Sequence, residues 1–183
     1  DHQNYYGSME AYVEDKKQIF RFQQVSDTLV LNADNAWTQA MGAEAPGAVI
    51  WYSKAAGAAS DGFSILGDRI MEAHGAHQEE IANLSGTRLI GEHHRENALA
   101  AVAAVRSFGI EGGSIQAGFV SFEGVPHRLE LVGEKRGIRF YNDSAATIPE
   151  AAIAALESFR QPVYLIVGGT DKELDFGRLA CVI

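Results

Sequence analysis

The chain has 183 residues, enough for one domain or for a larger and a smaller unit together. Hydrophobic residues make up 46% of it, so it can bury a core, and a net charge of −9 without any Lys/Arg run argues against a nucleic-acid or anionic-membrane binder. A bound phosphate is still allowed, because backbone amides and a few placed cations suffice for one.

Residues 8–24 read as a helix. Met9, Tyr12, Val13, Ile19 and Phe20 fall at helical spacing, and Ser8 can cap the start. A short buried-type strand follows over 27–32, and Asp34 can cap a helix running through Met41. Residues 48–53 (AVIWYS) are a second strand, and 54–62 a small, polar loop. Extended chain is predicted over 63–71 and at Leu89-Ile90, with no assignment between them.

Residues 95–108 are an Ala-rich helix with Gly109 as its stop, and 114–122 a second one. The texture then changes. Residues 129–132 and 138–141 predict two strands around a Gly133…Gly137 turn. Thr147-x-x-Glu150 has capping-box spacing with Pro149 in the first turn, and that helix runs to about Phe159. Residues 163–167 predict a strand running into Gly168-Gly169, and Asp175 opens a last helix. Alternating strands and helices predict an α/β fold, with the domain boundary near Glu123-Gly124.

Cys181 is the single cysteine, so no disulfide forms within the chain, as suits a reducing compartment. No apolar run reaches the ~18–20 residues of a membrane span. The chain opens on Asp1-His2-Gln3-Asn4 rather than Met, and is expected to be an internal piece of a longer protein.

Lys16 falls on the apolar side of its helix beside Tyr12, Val13, Ile19 and Phe20. Either it extends to solvent, or it is partly desolvated and presents a neutral amine able to take up carbon dioxide as a metal-binding carbamate. His2 lies one helix-length earlier, and alone reads as an exposed histidine. His93-His94 stand at a helix start, where adjacent side chains diverge by about 100° and seldom share one metal. Asn142-Asp143-Ser144 and Gly168-Gly169-Thr170-Asp171-Lys172 each follow a predicted strand, the position where open α/β sheets collect ligands. No P-loop, C-x-x-C, G-x-S-x-G or H-E-x-x-H string is present, so these residues alone leave the reaction open.

Taken together, five strings in order resemble the Mur ligases, and within them the D-glutamate-adding branch. They are DHQNYYGSMEAYVEDKKQIF, LNADN, GEHHRENALAAVAAVRSFGI, FEGVPHRLELVGEKRGIRFYNDSAATIPEAAIAAL and YLIVGGTDKELDF. The resemblance implies residues 1–123 as the later part of a central ATP-binding domain and 124–183 as the start of a Rossmann-like, amino-acid-binding domain. It implies an ATP-dependent cytoplasmic ligase that activates UDP-N-acetylmuramoyl-L-alanine as an acyl phosphate and joins it to D-glutamate, with two magnesium ions. His2 and a carbamylated Lys16 would bind one ion. Asn97 and His94 would lie by the adenine, Arg128 by the ATP phosphates and Asp143 by the ribose. Thr147 and Lys172 would face the D-glutamate carboxylates.

Three positions depart from the pattern: His94 where Asn is usual, Ala145 where Lys is common, and Asn4 where Asp is common. The P-loop is expected upstream of Asp1 and further D-glutamate contacts beyond Ile183, so the chain alone is not expected to ligate. The competing readings are a related ligase of the Mur or folylpolyglutamate type with another amino-acid substrate, and a non-catalytic nucleotide-binding module.

Overall fold

The computed structural model describes residues 6–55, 61–170 and 174–183. The chain divides into two compact units, Asp1–Thr87 with Glu96–Ser121, and Arg88–Arg95 with Phe122–Ile183.

In the first unit, Ser8 caps helix α1 (Met9–Lys16) by accepting the Ala11 N–H at 3.2 Å. The single helix expected over 8–24 instead breaks at Lys17 and resumes as one turn, α2 (Gln18–Arg21). Helices this short are held by tertiary anchors more than by propensity. The anchors here are Val13 and Phe20, while Ile19 is 75% exposed, so the apolar stripe is narrower than its spacing suggests.

Strand β1 (Thr28–Asn32), helix α3 (Ala36–Glu44) and strand β2 (Ala48–Ser53) form a unit of strand, helix and parallel strand. Asn35, not Asp34, caps α3, accepting the Trp37 N–H at 2.9 Å. Asp34 is recruited across to β2 instead. Strand β3 (Asp61–Leu66) is parallel to β2, and β4 (Arg69–His74) and β5 (His77–Asn83) continue the sheet antiparallel, in the order β1-β2-β3-β4-β5. The extended stretch predicted over 63–71 is thus a hairpin. Strand β5 escaped prediction because its first four residues are all exposed and polar, with burial confined to Ile81 and Ala82. Leu89 and Ile90 are in no strand.

Helix α4 (Glu92–Arg106) and helix α5 (Gly112–Ser121) complete this part of the chain. Leu29, Leu31 and Met41 share a buried cluster with Val13 and Phe20, with Trp51 packed on it. Strand side chains alternate between faces, so Asn32 points away from that cluster, and it does so toward Glu96 of α4. Helices therefore cover both faces of the sheet, and Leu99, Val102 and Ala103 of α4 are buried to 1% exposure or less.

The second unit contains the first turn of α4 and an antiparallel hairpin, β6 (Glu130–Lys135) with β7 (Ile138–Asn142). Its turn is Arg136-Gly137, with φ of 53° and 78°, the left-handed pair that matches strand twist. Gly133, expected in the turn, lies inside β6 at a register shift. Helix α6 (Pro149–Glu157) starts with Pro149 as expected, but Ile148 is its N-cap and no side chain caps it, so Thr147-x-x-Glu150 does not act as a capping box. Helix α7 (Gly177–Val182) meets α6, with Ile153 and Leu179 buried. Asp175 Oδ1 accepts the Gly177 N–H at 2.8 Å at its start. Residues 163–167 form no strand, and Tyr164 and Ile166 are 93% and 99% exposed. Their β-prone composition has no neighbouring strand to pair with among the described residues, and a lone strand leaves its amides unpaired.

Candidate functional site

In the first unit, polar side chains gather at the carboxyl ends of the parallel strands β1 and β2. Asp34 Oδ1 accepts the hydroxyl of the fully buried Ser53 at 2.6 Å, and Oδ2 accepts the Lys54 N–H at 2.7 Å. Asn32 Oδ1 accepts the Asp34 N–H at 2.7 Å, which fixes the loop after β1. Glu96, from α4, accepts Asn32 Nδ2 at 2.5 Å on Oε1 and pairs with Lys54 Nζ at 3.1 Å on Oε2. Tyr52 precedes Ser53 at the end of β2. Its phenol is pushed above the usual range by burial first, then by the charges of Glu96 and Asp34. Asn97, next to Glu96, is exposed.

In the second unit, the Pro126-His127-Arg128 loop and the Asn142-Asp143 strand end form one structure. His127 and Leu129 both carry positive φ, 65° and 45°, which costs an L-residue roughly 1–2 kcal/mol each. The hydrogen bonds that hold them come from the other motif. Asp143 Oδ1 accepts the Leu129 N–H at 2.9 Å, the Ala145 N–H donates to the His127 carbonyl at 2.9 Å, and Asn142 Nδ2 lies 2.8 Å from His127 Nδ1. Glu130 Oε2 also accepts the His127 N–H at 2.7 Å. Arg128 is left exposed.

His94 belongs to the same unit. Its Nδ1 lies 2.8 Å from the Ile90 carbonyl, so this nitrogen carries the proton and Nε2 is left as an acceptor. Burial lowers its pKa below 6.5 most strongly. The Ile90 hydrogen bond opposes that, Arg128 adds to it and Asp143 opposes it. His94, Arg128 and Asp143 therefore lie near enough to feel one another's charge. Gly91, just before α4, has φ of 91°, and a Cβ there would overlap Ser158, so the backbone approach needs glycine.

The remaining sequence candidates are dispersed. Lys16 is exposed, its Nζ 5.2 Å from the centre of the Tyr12 ring. That agrees with the solvent-reaching alternative rather than a desolvated one. Its neighbour Lys17 is the engaged lysine, 2.7 Å from Glu44 and 3.3 Å from Glu14, with its pKa raised chiefly by the Glu44 hydrogen bond. Thr147 is exposed. His2 and Lys172 lie outside the described residues. Among the described residues no group of three or more His, Cys, Asp or Glu is placed to hold a metal. Sequence reading passed over Glu96, Ser53, Lys54 and His127. The strings LNADN and PHR-x-E contained part of the signal, but the partners become apparent only when the strand ends are brought together.

An open α/β sheet with parallel strands places the chain in the α/β class, whose ligands collect at the carboxyl ends of the strands. A family model described as the Mur ligase middle domain matches residues 1–105. The chain belongs to the Mur ligase family. It is 42% identical over 187 residues to the UDP-N-acetylmuramoylalanine–D-glutamate ligase of Roseiflexus sp. (strain RS-1), covering 98% of this chain and 40% of that protein. It is 41% identical over 183 residues to the ligase of the same name from Acetivibrio thermocellus, covering 100% of this chain and 39% of that one. The chain thus spans about 40% of the length of these curated relatives. Among solved structures, MurF from Acinetobacter baumannii has a TM-score of 0.65 at 18% identity, covering 86% of this chain and 34% of that one. UDP-N-acetylmuramate-alanine ligase MurC from Thermotoga maritima has a TM-score of 0.60 at 19% identity, covering 86% and 35%. These two likenesses concern the fold.

Proposed function

We propose that the complete protein containing this chain is an ATP-dependent ligase of the cytoplasm that joins D-glutamate to UDP-N-acetylmuramoyl-L-alanine in peptidoglycan precursor synthesis. The observation that carries this reading is identity of 42% and 41%, over 98% and 100% of the chain, to two relatives bearing that ligase name. The interlocked PHR-x-E and NDS motifs support it, because they hold a cation and a carboxylate in a loop that would otherwise be strained.

Single residues of each unit have the chemistry that a nucleotide's parts require. Asn97 offers an exposed amide and His94 Nε2 an acceptor for the adenine edge. Arg128 offers an exposed guanidinium for phosphate oxygens, and Asp143 keeps its Oδ2 for ribose hydroxyls while Oδ1 holds the loop. Thr147 and Lys172 would orient the D-glutamate carboxylates. His2 and a carbamylated Lys16 would hold one of two magnesium ions, whose chemistry when bound is to screen phosphate charge.

The test is phosphate release by the complete protein. Release should require ATP, UDP-N-acetylmuramoyl-L-alanine and D-glutamate together. Equal release with L-lysine or meso-diaminopimelate replacing D-glutamate would refute the substrate assignment.

A further inference from the structure

Glu96 has no part in the ligand set above, yet it has the most specific geometry at the strand ends. It precedes Asn97 in α4, and its side chain is 27% exposed. Its two oxygens go to two different strands. Oε1 takes Asn32 from the end of β1 at 2.5 Å, and Oε2 takes Lys54, just past β2, at 3.1 Å. Those strand ends are themselves braced by Asp34, through Ser53 and the Lys54 amide. Glu96 thus ties the helix that carries Asn97 to a fixed pair of strand ends. Asn97 itself is exposed, and no side-chain hydrogen bond fixes it among the described residues, so its position follows that of the helix. A hydrogen bond weakens within a few tenths of an ångström, so a small shift of the helix start would misplace that amide.

We propose that Glu96 is a positioning residue: by clamping α4 to the ends of β1 and β2 it sets where Asn97 is presented, and so controls nucleotide affinity rather than the chemical step. This rests on the reading above that Asn97 meets the adenine. The experiment compares Glu96→Ala, Glu96→Gln and Glu72→Ala in the complete protein, measuring KM for ATP, KM for D-glutamate, kcat and Tm.

Glu96→Ala should raise the ATP KM about 10-fold with kcat within about 2-fold and the D-glutamate KM unmoved. Glu96→Gln keeps an oxygen for Asn32 and should raise the ATP KM by only about 3-fold. Glu72 braces the other end of α4 through Arg106, so Glu72→Ala should lower Tm and leave the ATP KM alone. An ATP KM unchanged in Glu96→Ala would overturn the proposal. So would an equal rise in Glu72→Ala, since that would be general loosening. If Glu96→Ala does not fold, Glu96→Gln decides, and a wild-type ATP KM in it overturns the clamp. A wild-type protein that ligates nothing with ATP would refute the ligase reading itself, and this inference with it.

Discussion

Asp143 Oδ1 accepts the N–H of Leu129 at 2.9 Å, and Leu129 is one of two L-residues in its loop with positive φ. One carboxylate oxygen is therefore structural, and the proposed ribose contact falls to the other, so the two roles can be separated by substitution. Asp143→Asn keeps an oxygen for Leu129 and should retain stability to within about 0.5 kcal/mol, while weakening nucleotide binding through loss of charge. Asp143→Ala removes the acceptor from a strained loop and should cost about 1–3 kcal/mol. Urea unfolding alongside nucleotide titration checks both. Equal stability of the two variants would mean that the Leu129 contact holds nothing.

How far this was legible in the sequence depends on the kind of interaction. The strands β1 and β2 and the body of α4 are short apolar or Ala-rich runs with clear stops, and local composition suffices for them. Strand β5 has no alternation to detect, and 163–167 has strand composition but no partner strand among the described residues. Asp34 and Thr147 read as caps because cap chemistry is local, yet Asp34 bonds 19 residues away at Ser53. Asp143 and His94 stood out locally, at a strand end and a helix start, whereas Arg128 was reachable only through motif resemblance. Glu96 was not, since its partners Asn32 and Lys54 are 64 and 42 positions distant and only the sheet brings them together.

Lys16 and Lys17 allow a direct contrast. Lys17 is held by Glu44 and Glu14, whereas Lys16 lies over the Tyr12 ring. In the complete protein, Lys16→Ala should abolish most ligation and recover none of it with added bicarbonate. Lys17→Ala should lose a surface ion pair, with little effect on stability, and retain its turnover. Full activity in Lys16→Ala would remove the carbamate from the proposal.

His94 makes stability pH-dependent in a definite direction. Burial and Arg128 outweigh the Ile90 hydrogen bond and Asp143, so the folded ring binds its proton at lower pH than the unfolded reference of 6.5. Between those two values the unfolded chain holds more protons, and stability falls as pH falls. The loss begins as pH drops through about 6.5 and stops below the folded value. His94→Asn removes the titration, so the decline in Tm from about pH 7.5 to about pH 5.5 should be smaller in the variant than in the wild type. An identical decline would assign the acid sensitivity to other groups.

Glu72 and Arg106 give a sharper energetic test, because Glu72 is only 8% exposed. Arg106 Nε and Nη2 both donate to Oε2, at 2.9 and 2.6 Å, and Nη1 donates to the Ile110 carbonyl at 3.1 Å. His74 Nε2 lies 3.3 Å from Oε1. Removing one partner leaves the other charge in a part-buried site, so Glu72→Met and Arg106→Leu should each cost about 2–4 kcal/mol. Replacing both together removes both desolvation costs and leaves apolar groups of similar size beside Val49, Ile50 and Phe63. The double variant should therefore lose less than the sum of the singles by about 1–3 kcal/mol in urea unfolding. Strict additivity would mean that the pair is not coupled, and that Glu72 is held in place by its surroundings rather than by Arg106.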